Sequence, residues 1–305
     1  MQDRYLRNIL IDGFGEDGQE RLKAAKVLVV GAGGIGSPAL FYLAAAGVST
    51  IGIVDDDTVS MTNLQRQILH FTNDLGRRKT ASASEKLIAL NPDVKIVPYN
   101  CRFTKKNAEA IIGGAYSGAD DGASDGTSDG MSDGTMDGAY CGADDGASNG
   151  AFCGAAGGRQ EKINGLLKAT TRNSSCNGYD FVIDGSDNYA TKLLINDMCV
   201  KMKKPYSHGA VVSMRGEVMT YLPGTACYRC VFETPPTDDD LPTATQTGIL
   251  GSVAGIVGSI QAAEAIKHIV GMGGLITNRI LIADVQKMNF FSLKVEKRGS
   301  CICGV

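Results

Sequence analysis

The chain has 305 residues, 43% of them hydrophobic, and a formal net charge of −3. That length admits one large α/β domain or two small ones. No apolar run of about 18 residues occurs, so no transmembrane helix is expected, and neither the net charge nor any basic stripe suggests a nucleic-acid binder.

Charge is unevenly spread. Residues 113–158 hold Asp120, Asp121, Asp125, Asp129, Asp133, Asp137, Asp144 and Asp145 but no Lys or Arg, and setting them aside takes the net charge from −3 to +5. The start, Met1-Gln2-Asp3-Arg4, lacks a secretory apolar segment, so a cytoplasmic enzyme is expected. Nine cysteines in such a chain argue against a disulfide framework. Close pairs among them point to metal.

In chain order, residues 3–11 read as a short amphipathic helix with Asp3 as a candidate cap. Val27-Leu28-Val29-Val30 is an apolar strand that enters a glycine turn, Gly31-Ala32-Gly33-Gly34-Ile35-Gly36. A small-residue helix follows, then a second strand, Ile51–Val54, ending in Asp55-Asp56-Asp57. This strand–turn–helix–strand–acid unit is the nucleotide-binding half of a Rossmann-type fold. Gly31 permits a tight turn, Gly33 lets backbone approach a phosphate, and Gly36 lets the helix pack close to the sheet. The helix N-terminus offers free N–H groups to an anion, and Asp55 can accept from ribose hydroxyls.

The residues after Asp55 separate a triphosphate from a dinucleotide. Asp57, Asn63, Arg66, Gln67 and Lys79 fall within one passage. Hydride transfer has no need of that cluster, whereas Arg clamps phosphate oxygens bidentately and Lys adds a point charge. Residues 79–91 read as a helix with Ala81, Ala83, Leu87 and Leu90 inward, ended by Pro92. A strand at 94–97 and a helix at 103–112, with Thr104 as candidate cap, follow.

From Gly114 to Gly158 a glycine recurs almost every fourth residue among Ala, Ser and Asp. That period is neither a helix face nor a strand face, so about 113–160 reads as a low-complexity, disordered insertion. A calcium-binding repeat would need a different period and an apolar strand position. Residues 162–169 could form a short helix. At 179–188 a strand ends in acid, and Asp187 at its carboxyl end points to the same crevice as the glycine turn. A carboxylate beside phosphates can hold Mg²⁺, and helix capping is the alternative use. His208, in the next strand, reads as structural. Cys227 and Cys230 form a CxxC pair, and Cys301 and Cys303 a CxC pair, four thiols that suit tetrahedral zinc. A redox CxxC would want a thioredoxin-like context that is absent. Residues 251–270 form a long apolar helix, broad enough for a subunit interface as well as the core, and 280–283 and 288–294 read as final strands.

In combination and in order, the GxGGxG turn, Val54-Asp55-Asp56-Asp57, Asn63–His70 (NLQRQILH), Lys79, Asp184–Asn188 (DGSDN) and the cysteine pairs resemble the MoeB/ThiF/HesA adenylyltransferases, relatives of ubiquitin-activating enzymes. The resemblance covers nearly all of 3–304 outside roughly 113–178. It implies a single ThiF-type domain over 1–305, with an ATP-binding half (1–112), the insertion (113–178) and a carrier-binding, zinc and dimer half (179–305). The implied fold is α/β and Rossmann-like, its mainly parallel sheet continued by antiparallel strands.

The implied activity is ATP-dependent adenylation of the C-terminal glycine carboxylate of a ubiquitin-like sulfur carrier of the MoaD/ThiS type, for molybdopterin or thiamine biosynthesis. Arg7 would reach the ATP of a partner subunit in a homodimer, from an opening that reads RYxRxI. Asn63, Arg66, Lys79 and Asp187 would be catalytic, with Asp187 on Mg²⁺. Gly31, Gly33, Gly34, Gly36, Asp55, Asp57, Gln67 and Asn188 would bind ATP. Cys227, Cys230, Cys301 and Cys303 would hold Zn²⁺, although the family's second pair is CxxC. A sulfurtransferase or cysteine desulfurase is an expected partner. Many relatives carry a cysteine where Ala244 stands, so a covalent thioester at that position is excluded. Alternatives are a threonylcarbamoyladenosine tRNA dehydratase-like enzyme, a non-catalytic carrier scaffold and an NAD-dependent oxidoreductase.

Overall fold

The structure, a computed structural model, describes residues 4–117, 178–232 and 247–304. Residues 118–177 of the glycine–aspartate insertion (113–178), the candidate helix at 162–169, Asp3 and Ala244 lie outside the described residues.

Eight strands form one sheet in the order β3-β2-β1-β4-β5-β6-β7-β8. They are β1 (Lys26–Val30), β2 (Thr50–Val54), β3 (Lys95–Tyr99), β4 (Phe181–Asp184), β5 (Tyr206–Val212), β6 (Arg215–Tyr221), β7 (Arg279–Asp284) and β8 (Asn289–Lys294). The first five pair in parallel. The last three continue the sheet antiparallel, which is the fold class the sequence implied. The parallel strands β1, β2 and β4 are nearly continuous apolar runs because both their faces are covered. Pro98 sits in β3, an edge strand, where its missing N–H breaks no ladder.

The helices are α1 (Leu6–Ile9), α2 (Gly15–Ala24), α3 (Gly36–Ala46), α4 (Lys79–Leu90), α5 (Ala108–Ile112), α6 (Tyr189–Lys201), α7 (Tyr228–Val231) and α8 (Gly251–Val270). Several differ from the sequence reading. The helix at 3–11 shortens to one turn, and α5 starts at Ala108 rather than near Thr104. Asn107 explains the second change: its Oδ1 accepts from Thr104 N at 2.8 Å and its Nδ2 donates to Arg102 O at 2.8 Å. That side chain holds a turn in competition with helix. On α4 the inward face is Thr80, Ala83 and Leu87, while Ala81 and Leu90 are exposed.

Helix α8 is long and apolar enough to cross a membrane by length and composition alone. It instead packs on the sheet. Gly209 and Gly216 make room for it: a Cβ there would lie 2.8 Å from Gln261 Cδ and 2.4 Å from Val257 Cγ2. Gln261 Nε2 donates to the carbonyls of Asp184 (3.0 Å) and Ser207 (2.9 Å), tying α8 to β4 and β5.

Candidate active site

Strand order reverses around β1, with β2 and β3 on one side and β4 and β5 on the other. Ligands of open α/β sheets bind outside the carboxyl ends of strands at such a switch. A cleft of about 650 Å³ opens there.

The glycine turn forms its floor. Gly31 has φ +97°, and a Cβ on it would meet Gly185 O at 2.6 Å. A Cβ on Gly36 would meet Gly31 O at 1.9 Å, so this glycine serves the turn's closure on α3. Gly33 differs, because a Cβ there would have only Gln67 Nε2 in reach, at 3.6 Å. Gly33 therefore leaves its side of the turn open to the cleft. The N-terminus of α3 faces the same region, with no side chain capping it.

Asp55 closes one wall. Its carboxylate accepts from Ala32 N (2.8 Å) and Asp57 N (2.9 Å). Burial raises its pKa above the ordinary value, with Lys79 pulling the other way from 3.9 Å. Lys79 is itself buried and pairs with the exposed Asp57 at 2.7 Å. Gln67, 4% exposed, lines the cleft, and its Oε1 has no hydrogen-bond partner among the described residues. A buried orphan acceptor costs about 1–3 kcal/mol and fits a ligand that donates to it.

The opposite wall comes from β4, α6 and β5. Asp187 is exposed and bordered by Asn188, whose Oδ1 caps α6 by accepting from Thr191 N at 2.9 Å. The cap is therefore Asn188, leaving the Asp187 carboxylate open to the cleft. Asp184 is unavailable to a metal: it is fully buried against Lys192 (3.3 Å), His208 Nδ1 (2.9 Å) and Ser186 Oγ (2.6 Å). His208 Nε2 lies 3.2 Å from Glu217, so this histidine is held in a buried network.

Of the site residues read from sequence, Gly31, Gly33, Gly34, Asp55, Asp57, Arg66, Gln67, Lys79, Asp187 and Asn188 share this cleft. Gly36 underlies it, and neither Asn63 nor Arg7 lines it. Arg7 is exposed on α1. Sequence reasoning missed Lys192, Arg102 and Tyr189, which also line the cleft. Arg102 and Tyr189 follow strand ends, a position many surface residues share, and Lys192 lies within α6 with no signal in its neighbours.

A second cluster lies where α7 meets the C-terminal segment. The thiols of Cys227, Cys230, Cys301 and Cys303 lie within 4.8 Å of one another, with Cys227–Cys301 and Cys230–Cys303 each at 3.5 Å. Tetrahedral zinc with bonds of about 2.3 Å sets sulfurs about 3.8 Å apart, so the set fits despite the shortened CxC. Burial pushes the Cys227 thiol up. At Cys230 burial also raises the thiol, but hydrogen bonds from the Arg298 and Cys227 backbone and from the Cys303 and Cys301 thiols together outweigh it and bring it down to about 7, toward the thiolate a metal binds.

Residues 5–120 and 158–304 match the ThiF family. The chain is 33% identical to the SAMP-activating enzyme E1 of Haloferax volcanii, covering 99% of this chain and 88% of that protein. It is also 33% identical to the sulfur carrier protein adenylyltransferase of Thermus thermophilus, with 99% and 90% covered. The adenylyltransferase and sulfurtransferase MOCS3 of Anopheles gambiae is 32% identical, and the chain spans 54% of its length. Among solved structures, E. coli MccB with ATP superposes with a TM-score of 0.70 at 19% identity, covering 100% of this chain and 75% of MccB, which speaks for the fold. The chain belongs to the ThiF family.

Proposed function

We propose that this protein is an ATP-dependent adenylyltransferase that activates the C-terminal glycine carboxylate of a ubiquitin-like sulfur carrier. The convergence of the glycine turn, Asp55, Arg66, Gln67, Lys79 and Asp187 on one cleft carries the reading. The names of the relatives at 33% identity support the substrate class.

The carrier carboxylate attacks the α-phosphorus of ATP in line. The bond from that phosphorus to the bridging oxygen breaks, pyrophosphate leaves, and an acyl-adenylate forms. A carboxylate is already a nucleophile, so no general base is required. Asp55 holds the ribose, and the backbone of Gly33 and Gly34 lies along the phosphates. Arg66 and Lys79 neutralise charge building on the leaving group, and Arg7 does so from the second subunit of a homodimer. Catalysis is then positioning and electrostatics. Asp187, an open carboxylate beside the phosphates, would hold Mg²⁺, which when bound offsets phosphate charge. The four cysteines would hold a structural Zn²⁺ that ties α7 to the C-terminal segment. A sulfurtransferase or cysteine desulfurase would supply the sulfur that displaces AMP.

ATP–pyrophosphate exchange with candidate carriers ending in Gly-Gly, each with and without its last glycine, tests this. Exchange that requires the intact tail is expected. Tight ATP binding with no exchange on any carrier would overturn the carrier assignment, and NAD binding without ATP binding would overturn adenylation itself.

A further inference from the structure

We propose that His70 is a positioning residue for the nucleotide, fixing the peptide between Ala32 and Gly33 so that the Gly33 N–H faces the cleft. The inference rests on the cleft being an ATP site.

The segment carrying Arg66, Gln67 and His70 runs along the glycine turn, one residue against each position. Arg66 Cγ lies 3.3 Å from where a Cβ of Gly34 would stand, and Gln67 Nε2 lies 3.6 Å from that of Gly33. His70 Nε2 lies 2.9 Å from Ala32 O. A carbonyl only accepts, so Nε2 carries the proton. The other ring nitrogen, Nδ1, then accepts from the Ser82 hydroxyl at 2.9 Å. Ser82 Oγ in turn receives Lys86 Nζ at 2.9 Å, and Lys86 is paired with Asp74. Every member of this chain has its direction fixed by the next.

The chain is sealed from water: His70 is 3% exposed, and Ser82 and Ala32 are fully buried. Burial, helped by the charges of Lys79 and Lys86, lowers the His70 pKa and keeps the ring neutral, against the opposing pull of the Ala32 bond. The neutral Nε2–H form is what the geometry needs.

The consequence for the site follows from peptide planarity. In a trans peptide the C=O and the following N–H point in opposite directions. Holding Ala32 O outward on His70 sends the Gly33 N–H to the other side, where Gly33 lines the cleft. Asp55 holds the neighbouring Ala32 N–H at 2.8 Å. With both groups of Ala32 bonded, the turn is set before a phosphate arrives, which spares binding the cost of ordering it.

His70→Gln and His70→Asn separate this role from mere packing. The Gln amide nitrogen lies as many bonds from the backbone as imidazole Nε2 and can still donate to Ala32. The Asn amide reaches only as far as Nδ1. Calorimetric ATP affinity, ATP and carrier KM in pyrophosphate exchange, and Tm are measured for each. His70→Asn is expected to weaken ATP binding about tenfold, the worth of one lost hydrogen bond. His70→Gln should stay close to wild type, and carrier KM should hold in both. Ser82→Ala, which releases Nδ1 without adding bulk, should weaken ATP binding by less. Equal ATP affinity in His70→Asn and His70→Gln, or losses that follow Tm rather than the donor, would overturn the inference. A wild-type protein that binds no ATP would instead overturn the reading of the cleft.

Discussion

Replacing Lys79 with Met tests the electrostatics of the cleft directly. Met keeps most of the buried stem and removes the charge. Two pairs are lost. The one with Asp57 is worth well under 1 kcal/mol, because Asp57 is 67% exposed. The one with Asp55 spans 3.9 Å between side chains 5% and 8% exposed. At that distance two unit charges attract by about 1 kcal/mol in water and about 4 kcal/mol at an effective dielectric of 20. A loss of about 2–4 kcal/mol at neutral pH is expected, since an uncompensated carboxylate is left buried. The pH dependence has a definite sign. Burial already raises Asp55 above its ordinary 3.8 and Lys79 opposes that rise, so without Lys79 the carboxyl rises further. The folded state then holds a proton that the unfolded state releases, and stability falls as pH climbs through the folded value. The penalty should be largest near pH 7 and smallest near pH 4. Urea unfolding of both proteins at these pH values measures it. A penalty that does not change with pH, or one below about 1 kcal/mol at pH 7, would refute the argument.

Four other outcomes are expected. Gly36→Ala drives a Cβ to 1.9 Å from Gly31 O, backbone against backbone; it should cost about 3 kcal/mol or more in denaturant unfolding and abolish ATP binding. Arg66→Ala should slow adenylation about a hundredfold while carrier affinity holds, as expected of a group that acts on transition-state charge; equal loss of both would count against a phosphate role. Burial alone would raise Asp184, but Lys192, His208 and Ser186 hold it at about 2. Its depressed value contributes about 2 kcal/mol that is present above pH 4 and lost as pH falls toward 2, so Asp184→Asn should flatten that acid limb of a Tm–pH curve. Metal analysis should find about one zinc per chain. Cys230→Ser should lose it and speed amide exchange at 298–304, and a metal-free wild-type protein would sink the assignment.

The parts legible in the sequence are those whose cause is local. The apolar runs of β1 and β2, the turn between them and Asp55 could be read because strand period, glycine spacing and an acid at a strand end are neighbours in the chain. The same holds for β7 and β8, whose predicted bounds fall within one residue of the observed ones. The helix expected at 103–112 begins only at Ala108 because the side chain of Asn107, three residues from Thr104, accepts from the Thr104 N–H and holds a turn there. Lys192 was invisible for the opposite reason. Its partners Asp184, Ser186 O and Gly209 O come from β4, the loop after it and β5, and only the folded sheet brings them together.

Helix α8 shows where composition stops deciding. Its residues satisfy both a membrane span and a core helix, and length and composition do not separate the two. The choice is made by glycines elsewhere in the chain. Gly209 and Gly216 remove side chains from the sheet where Val257 and Gln261 descend. On the helix itself, a Cβ on Gly258 would stand 2.1 Å from Ile35 O, so α8 meets the start of α3 at backbone contact. Glu264 then finds Thr220 Oγ1 and Ile276 N, both at 2.7 Å, which gives a buried acid the partners that hydrocarbon would deny it. A glycine in a strand reads as weakness until the helix it admits is known. Because α8 also presses on Ile35, at the end of the glycine turn, enlarging Gly216 should disturb ATP binding as well as stability. The β6 glycine and the nucleotide turn are thus coupled through one helix, although Gly36 and Gly216 are 180 positions apart in sequence.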